Sequence, residues 1–386
     1  MNHNALLPEG FDALETPCLL LDLPRMRRNL ERLSAHMERL GGHLRPHVKT
    51  HKSVPVAREV QRAGRVQGIT VSTLREADYF FAHGFRDILY GAGITPNKII
   101  HAADLLKQGC RLQLTVDSPE MAQACAQAGE AQGVTFPIMI ELDTDGHRAG
   151  ALPRSDRLIE VGRLLHSARH TELAGVMTHA GESYGCDTAQ ARKHLAQQER
   201  DRSLLAASRL RDAGLPCPVV SVGSTPTAFA IDDLQGVTEV RAGVYTFFDL
   251  VMAGIGMCSL EDIALSVLVS VSGYQRERNW LITDGGWTAL SRDRGTQSQR
   301  VDQGYGVVTD RNGTPLQDLV VVSTNQEHGV VSRREGDAPL PWQELPIGSL
   351  LQVLPNHACA TAAQYSHFHV VEDGEIIDRW ERLYGS

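Results

Sequence analysis

Between residues 44 and 242 the chain repeats one pattern eight times: a short apolar run, a polar turn, then a stretch with helix-like spacing of apolar residues. The apolar runs are 44–48, 68–71, 87–90, 112–116, 136–142, 173–178, 218–222 and 239–242. The stretches between them, such as 53–63, 74–82, 118–132 and 190–213, are rich in helix formers. Ser118 is placed to cap the helix it precedes, with Met121 and Cys125 on one face. Eight such units in roughly 200 residues predict a compact (β/α)8 barrel. A doubly wound open sheet is the competitor, but no GxGxxG follows the first run.

In a barrel the reacting groups sit at the C-terminal ends of the strands. Lys49 follows the first run, in Arg45-Pro46-His47-Val48-Lys49-Thr50. The chain has only Lys49, Lys52, Lys98, Lys107 and Lys193 and otherwise uses Arg for positive charge. Arginine stays protonated and forms no Schiff base, whereas lysine can. Arg148 follows the fifth run and His179 the sixth. Gly223, Ser224 and Thr225 follow the seventh, and Gly243 and Tyr245 the eighth. Loops after strands seven and eight are a common phosphate site, where glycine lets the backbone approach and hydroxyls meet the oxygens. An amine on one side of the rim and a phosphate cradle on the other suit pyridoxal 5'-phosphate.

Beyond about residue 256, short apolar runs (264–271, 280–283, 319–322, 350–354, 369–371) alternate with Gly-, Asp- and Pro-rich turns. This predicts a smaller, mostly β domain, which the run 17–21 can join. The expected domains are 22–255 for the barrel and 1–21 plus 256–386 for the β domain. Within it, His357 and Cys359 stand two apart in Pro355-Asn356-His357-Ala358-Cys359. In an extended segment both would point to one face, as two ligands of one metal do. Asn325-Gln326-Glu327-His328-Gly329 is either a turn or a site lining, and His367 and His369 read as surface or strand residues. The net charge of −8 argues against a nucleic-acid partner. Seven scattered cysteines show no CxxC pair, and no apolar run is long enough for a membrane span. The start Met1-Asn2-His3-Asn4 is polar, so a cytoplasmic location is expected.

The rim lysine, the run Glu141-Leu-Asp-Thr-Asp-Gly-His-Arg148-Ala-Gly150 and the run Arg241-Ala-Gly-Val-Tyr245 resemble the alanine-racemase-like, fold-type III pyridoxal phosphate enzymes. The segments Arg45-Pro-His-Val-Lys49-Thr-His-Lys52, Ser221-Val-Gly-Ser-Thr-Pro-Thr227, Ser291-Arg-Asp-Arg-Gly-Thr296 and Pro355-Asn-His-Ala-Cys359 resemble the D-threonine aldolase and D-serine dehydratase branch. The resemblance covers nearly the whole chain. It implies a homodimer in which Lys49 carries the cofactor. Gly223, Ser224, Thr225, Gly243 and Tyr245 hold the phosphate, Arg148 and His179 lie beside the ring, and His357 with Cys359 binds a divalent metal. Thiolate plus imidazole favours zinc over manganese or magnesium.

The aldolases of this branch resemble the chain less at Cys359, where they look to have Asp. The resemblance therefore implies elimination of water and ammonia from a D-3-hydroxyamino acid, either 3-hydroxyaspartate or serine, with Lys49 as the base at Cα. A second substrate carboxylate would want a cation, for which Arg292, Arg294, Arg45 and His47 are the candidates. The rival readings are retro-aldol cleavage to glycine and an aldehyde, a metal-free racemase, and a non-catalytic cofactor carrier.

Overall fold

The computed structural model describes residues 10–385. The polar start Met1–Asn4 lies outside them. The chain divides into two compact units. One is Glu31–Gly243; the other joins the N-terminal segment up to Leu30 with Val244–Gly385. The apolar pattern alone puts these borders at 21/22 and 255/256, about ten residues from each.

The first strand of the chain, β1 (Cys18–Asp22), belongs to the β unit. The barrel unit follows with β2 (Ile69–Val71), β3 (Asp87–Gly93), β4 (Arg111–Val116), β5 (Phe136–Leu142), β6 (Thr171–Thr178), β7 (Val219–Val222) and β8 (Glu239–Val240). These seven pair in sequence order, all parallel. Most of their residues are buried, as expected of strands covered on both faces. Helices connect them, among them Leu74–Ala82, Pro119–Gln132 and Ala189–Asp212. Ser118 caps the second of these by accepting the Met121 N–H at 3.3 Å. A cap of this kind is worth about 1 kcal/mol.

The eighth member of the ring, expected over 44–48, is not a regular strand. It is a set of isolated bridges, Leu44 to Val66 and Val240, and His47 to Thr70. Arg45 and His47 donate to the Val240 and Ala242 carbonyls, and Val48 donates to Thr70, at 2.8–2.9 Å. Between them stands Pro46, which has no N–H, so one rung toward β2 is missing. The segment still joins β2 to β8 and completes the ring.

Side chains reinforce this join. The buried Arg45 guanidinium meets Glu239 and Asp87, each at 2.7 Å. Glu239 also accepts from Ser221 Oγ at 2.7 Å. Asp87 and Glu239 open their strands, so Arg45 works at the end of the ring opposite the rim loops. That corrects one expectation: Arg45 is locked into the framework and does not face a substrate.

In the β unit come β9 (Leu265–Gln275), β10 (Trp280–Thr283), β11 (Val307–Thr309), β12 (Pro315–Thr324), β13 (Gly329–Arg333), β14 (Leu350–Leu354), β15 (His367–Glu372) and β16 (Glu375–Glu381). The sheet order is β10-β13-β12-β11-β14-β9-β1-β15-β16, and β10 also pairs with β9. Six antiparallel strands thus close into a small barrel, while β1, β15 and β16 extend from its long strand β9. Phe11, Cys18, Leu20, Leu268, Val371 and Ile376 pack together there. Residues 325–328 are the β12–β13 turn, in which Asn325 N–H donates to the His328 carbonyl at 2.8 Å, and Gly329 opens β13.

Candidate functional site

Lys49 lies in a turn directly after the bridged segment, with its side chain exposed. The other four lysines all have partners: Lys52 with buried Glu76 (3.3 Å), Lys98 with the Tyr90 hydroxyl (3.1 Å), Lys107 with Gln132 (2.8 Å) and Lys193 with Asp232 (2.6 Å). Lys49 has no side-chain ion pair or hydrogen bond among the described residues. Its charge nevertheless acts on two imidazoles. Desolvation first, then Lys49, then Arg241 hold His47 well below its ordinary range. Desolvation, Lys49 and Arg148 bring His179 down to about 3. Both rings are therefore neutral at pH 7 beside a group of cations, a field that attracts an anion.

His179 follows β6, and its Nδ1 meets the Gly223 carbonyl at 3.1 Å. A carbonyl only accepts, so Nδ1 carries the proton and Nε2 keeps its lone pair. Arg148 lies 3.6 Å from Glu141, which restrains its direction. His47 Nε2 is 3.5 Å from Ser72 Oγ.

The loop after β7 turns at once into the helix Thr225–Ala230. Ser224 is its cap, in a reciprocal capping box with Thr227, and its hydroxyl also meets Ser183 Oγ at 2.7 Å. The Gly223 N–H donates to Glu199 and the Ser224 N–H to Thr227 Oγ1, each at 3.0 Å. These groups are engaged internally. The Thr225 hydroxyl is buried with no hydrogen-bond partner among the described residues. Gly223 has φ +131°, and a Cβ there would lie 2.2 Å from the Arg241 carbonyl. A Cβ on Gly243 would lie 3.0 Å from the His47 carbonyl.

Glu199 is the main contributor that no sequence motif marks. It sits mid-way along Ala189–Asp212 and is fully buried. One carboxylate oxygen accepts from both Ala180 N–H and Gly223 N–H at 3.0 Å, tying the loop after β6 to the loop after β7. Burial raises its pKa, and its hydrogen bonds and Arg241 oppose that rise. A weaker signal does exist. Arg192, Ala196, Glu199, Ser203, Ala206 and Leu210 form the buried stripe of the helix, and a carboxylate on such a stripe needs partners. Arg241, another residue not foreseen for the site, donates to Ser221 Oγ at 2.6 Å and to the Thr178 carbonyl.

In the β unit, Tyr245 is buried, and its hydroxyl likewise lacks a hydrogen-bond partner among the described residues. His357 and Cys359 come together, though not as alternating residues of a strand. His357 is the extended cap of the short helix Ala358–Ala362, and Cys359 lies in its first turn. The helix starts there because buried Asp249 accepts the Ala358 N–H at 3.0 Å. His357 Nδ1 donates to Asp293 at 2.7 Å, which fixes the orientation of the ring. Desolvation pulls the His357 pKa down, but Asp293 and the hydrogen-bonded Cys359 outweigh it and push it up to about 11. Such a site favours a cation. Among the described residues no group of three or more His, Cys, Asp or Glu is placed to hold a metal ion.

Of the arginine candidates, Arg294 is paired with Asp302 at 2.5 Å and lies over Tyr305. Arg292 stacks on Trp287 with its guanidinium carbon 4.2 Å from the ring centroid. Arg294 thus has an acid partner within its own unit, while the residue between them, Asp293, is the one tied to His357.

A parallel β/α ring with a rim lysine, followed by an antiparallel β unit, defines a protein of the alanine racemase fold. The chain belongs to the alanine racemase N-terminal domain family, which it matches over residues 21–251, and residues 264–371 match the putative serine dehydratase domain. It is similar to D-threo-3-hydroxyaspartate dehydratase of Delftia sp. (strain HT23), 51% identical over 96% of this chain and 98% of that protein. The solved structure of that enzyme superposes with a TM-score of 0.96, covering 98% of this chain and all of that one at 50% identity. Its cysteine-to-alanine mutant is known in a metal-free form. D-serine dehydratase of Dictyostelium discoideum is 32% identical over 99% of each chain. A 3-hydroxy-D-aspartate aldolase of Paracoccus denitrificans is more distant, 24% identical over 95% of this chain and 91% of that one.

Two outcomes test this geometry. Glu199→Ala strands two buried N–H groups, each worth about 1–3 kcal/mol, whereas Glu199→Gln keeps an acceptor. Urea unfolding should show the Ala variant clearly weaker than the Gln variant; equal losses would remove the acceptor role. The second concerns pH. The His179 pKa is about 3 when folded against 6.5 ordinarily, so between these values the unfolded chain binds the extra proton. Stability should fall as pH drops through that window, and His179→Asn should flatten the slope by up to about one proton in unfolding curves across it.

Proposed function

We propose that the chain is a pyridoxal phosphate- and divalent metal-dependent dehydratase of D-3-hydroxyamino acids, acting on D-threo-3-hydroxyaspartate to give oxaloacetate and ammonia. The substrate choice rests on the 51% identity with the Delftia enzyme over nearly the whole of both chains. The observation that carries the chemistry is Lys49. Among the described residues its amine, alone of the five lysines, has no partner, and it sits in a cationic rim.

The residues present fit the cofactor. Thr225 and Tyr245 are buried hydroxyls lacking partners among the described residues, as groups that meet phosphate oxygens would be. Gly223 and Gly243 keep side chains out of the approach. Ser224 shapes this cradle through its cap, and Glu199 fixes the backbone beneath it. When bound, pyridoxal phosphate supplies the sink for electrons released at Cα. Lys49 would hold it covalently through Nζ and, once released by substrate, remove the Cα proton. Arg148 and the neutral His179 would line the ring. His47 and Arg292 are the groups proposed to meet the second carboxylate.

His357 Nε2 and the Cys359 thiolate would hold the metal, with Asp293 orienting the imidazole. In the Delftia enzyme the mutated histidine and cysteine are likewise two residues apart. Thiolate plus imidazole favours zinc. A metal supplies Lewis acidity where hydroxide must leave. A homodimer in a reducing cytoplasm completes the reading, and all seven cysteines are free thiols. No described helix is long and apolar enough to cross a membrane.

The test is product identification with D-threo-3-hydroxyaspartate, D-serine and D-threonine, with and without EDTA. Oxaloacetate and ammonia, lost on chelation, are expected; glyoxylate and glycine as main products would replace elimination by retro-aldol cleavage. Lys49→Ala should lose the visible absorbance of the bound cofactor and reduce turnover at least about 10²-fold. An unchanged spectrum would remove Lys49 from its role.

A further inference from the structure

Strand β15 carries a second histidine pair that the reaction does not use. His367 and His369 are two residues apart in a strand, so both rings leave the same face. Their Nε2 atoms are 3.3 Å apart, with ring planes at 78°. Two nitrogens each about 2.0–2.1 Å from one zinc ion, at the tetrahedral angle, lie about 3.3–3.4 Å from each other. The spacing is therefore that of two ligands of one ion. The same distance also fits an N–H···N hydrogen bond between the rings when one Nε2 carries a proton.

The surroundings keep both rings in the neutral form. The Ser366 hydroxyl meets His367 Nδ1 at 3.1 Å and can accept its proton, which leaves Nε2 bare. His369 Nδ1 is buried with no partner among the described residues, so the polar bonding of that ring runs through Nε2. Desolvation, then Arg379, lowers the His367 pKa. Desolvation, then His367 and Arg379, brings His369 to about 4. Both rings are neutral at pH 7, the form that ligates without first losing a proton. Across on β16, Glu381 stands opposite His367 and Arg379 opposite His369, joined to each other at 3.1 Å. On the other side β1 presents apolar Leu20 to His369. The local charge is thus balanced, with one carboxylate on the facing strand.

We propose that His367 and His369 form a divalent-metal site of their own, taking zinc or a similar late first-row ion, with water on the remaining positions. Two imidazoles give a modest site that fills as zinc rises. Because the pair is fixed only in the folded strand, binding stabilises the native state by mass action.

The experiment uses the chelator-stripped full-length protein and zinc chloride, followed by calorimetric titration and thermal unfolding. Wild type should bind one more zinc per chain than His367→Gln and His369→Gln, and its Tm should rise with zinc more than theirs. Glutamine keeps the size and polarity of the site, and circular dichroism confirms folding. His357→Ala serves as the parallel arm: it should lose a different equivalent and keep the one that depends on His369. Equal stoichiometry and equal Tm shifts in wild type and both glutamine variants would overturn the proposal, whatever happens at His357.

Discussion

The barrel unit depends on one join. Seven parallel strands make an open sheet, and a segment interrupted by Pro46 must complete the ring. The missing rung is offset by a buried polar chain. Arg45 reaches Glu239 and Asp87, Glu239 takes Ser221, and Ser221 takes Arg241, which continues to the Thr178 carbonyl. Breaking one partner of such a buried set is costly because it leaves a charge without compensation. This join fixes where the chain turns at Lys49, since Lys49 follows the bridged residues directly.

Above the join, the rim is organised by groups that hold backbone rather than substrate. Glu199 ties the loops after β6 and β7, and His179 binds the same Gly223 through its carbonyl. Ser224 is bound to Ser183 and Thr227, so the loop after β7 is held in place, while the buried Thr225 hydroxyl has no hydrogen-bond partner among the described residues. In the β unit, Asp249 and Asp293 do the same for His357 and the helix that carries Cys359. Preorganisation of this kind lets a few groups act without rearrangement.

Much of this is legible in the chain. The apolar runs mark β2 to β8 within a few residues, because strands buried on both faces are continuous apolar stretches. Lys49 stands out by scarcity and by its address after the first run. Three local patterns mislead. Arg45 and Arg294 resemble available cations, but each has an acid partner, distant or displaced along the chain, that local pattern does not reveal. The His357–Cys359 spacing imitates strand alternation, whereas capping by Asp249 makes it a helix start. In the β unit, β11, β13 and β16 leave no clear apolar run, being short or half exposed.

The alternation of strands and helices, the rim position of Lys49 and the pairing of a histidine with a cysteine near the end all follow from the order of residues. These are properties of periodicity and residue type, which neighbours along the chain set. Which polar groups remain available for chemistry is settled at a different level, by packing. Lys49 and Lys52 stand three residues apart in one turn, yet Glu76 engages Lys52 and leaves Lys49 open. Hydrogen bonds and ion pairs between distant residues have no local signature, so the difference between a framework charge and a reacting one appears only when the chain is folded.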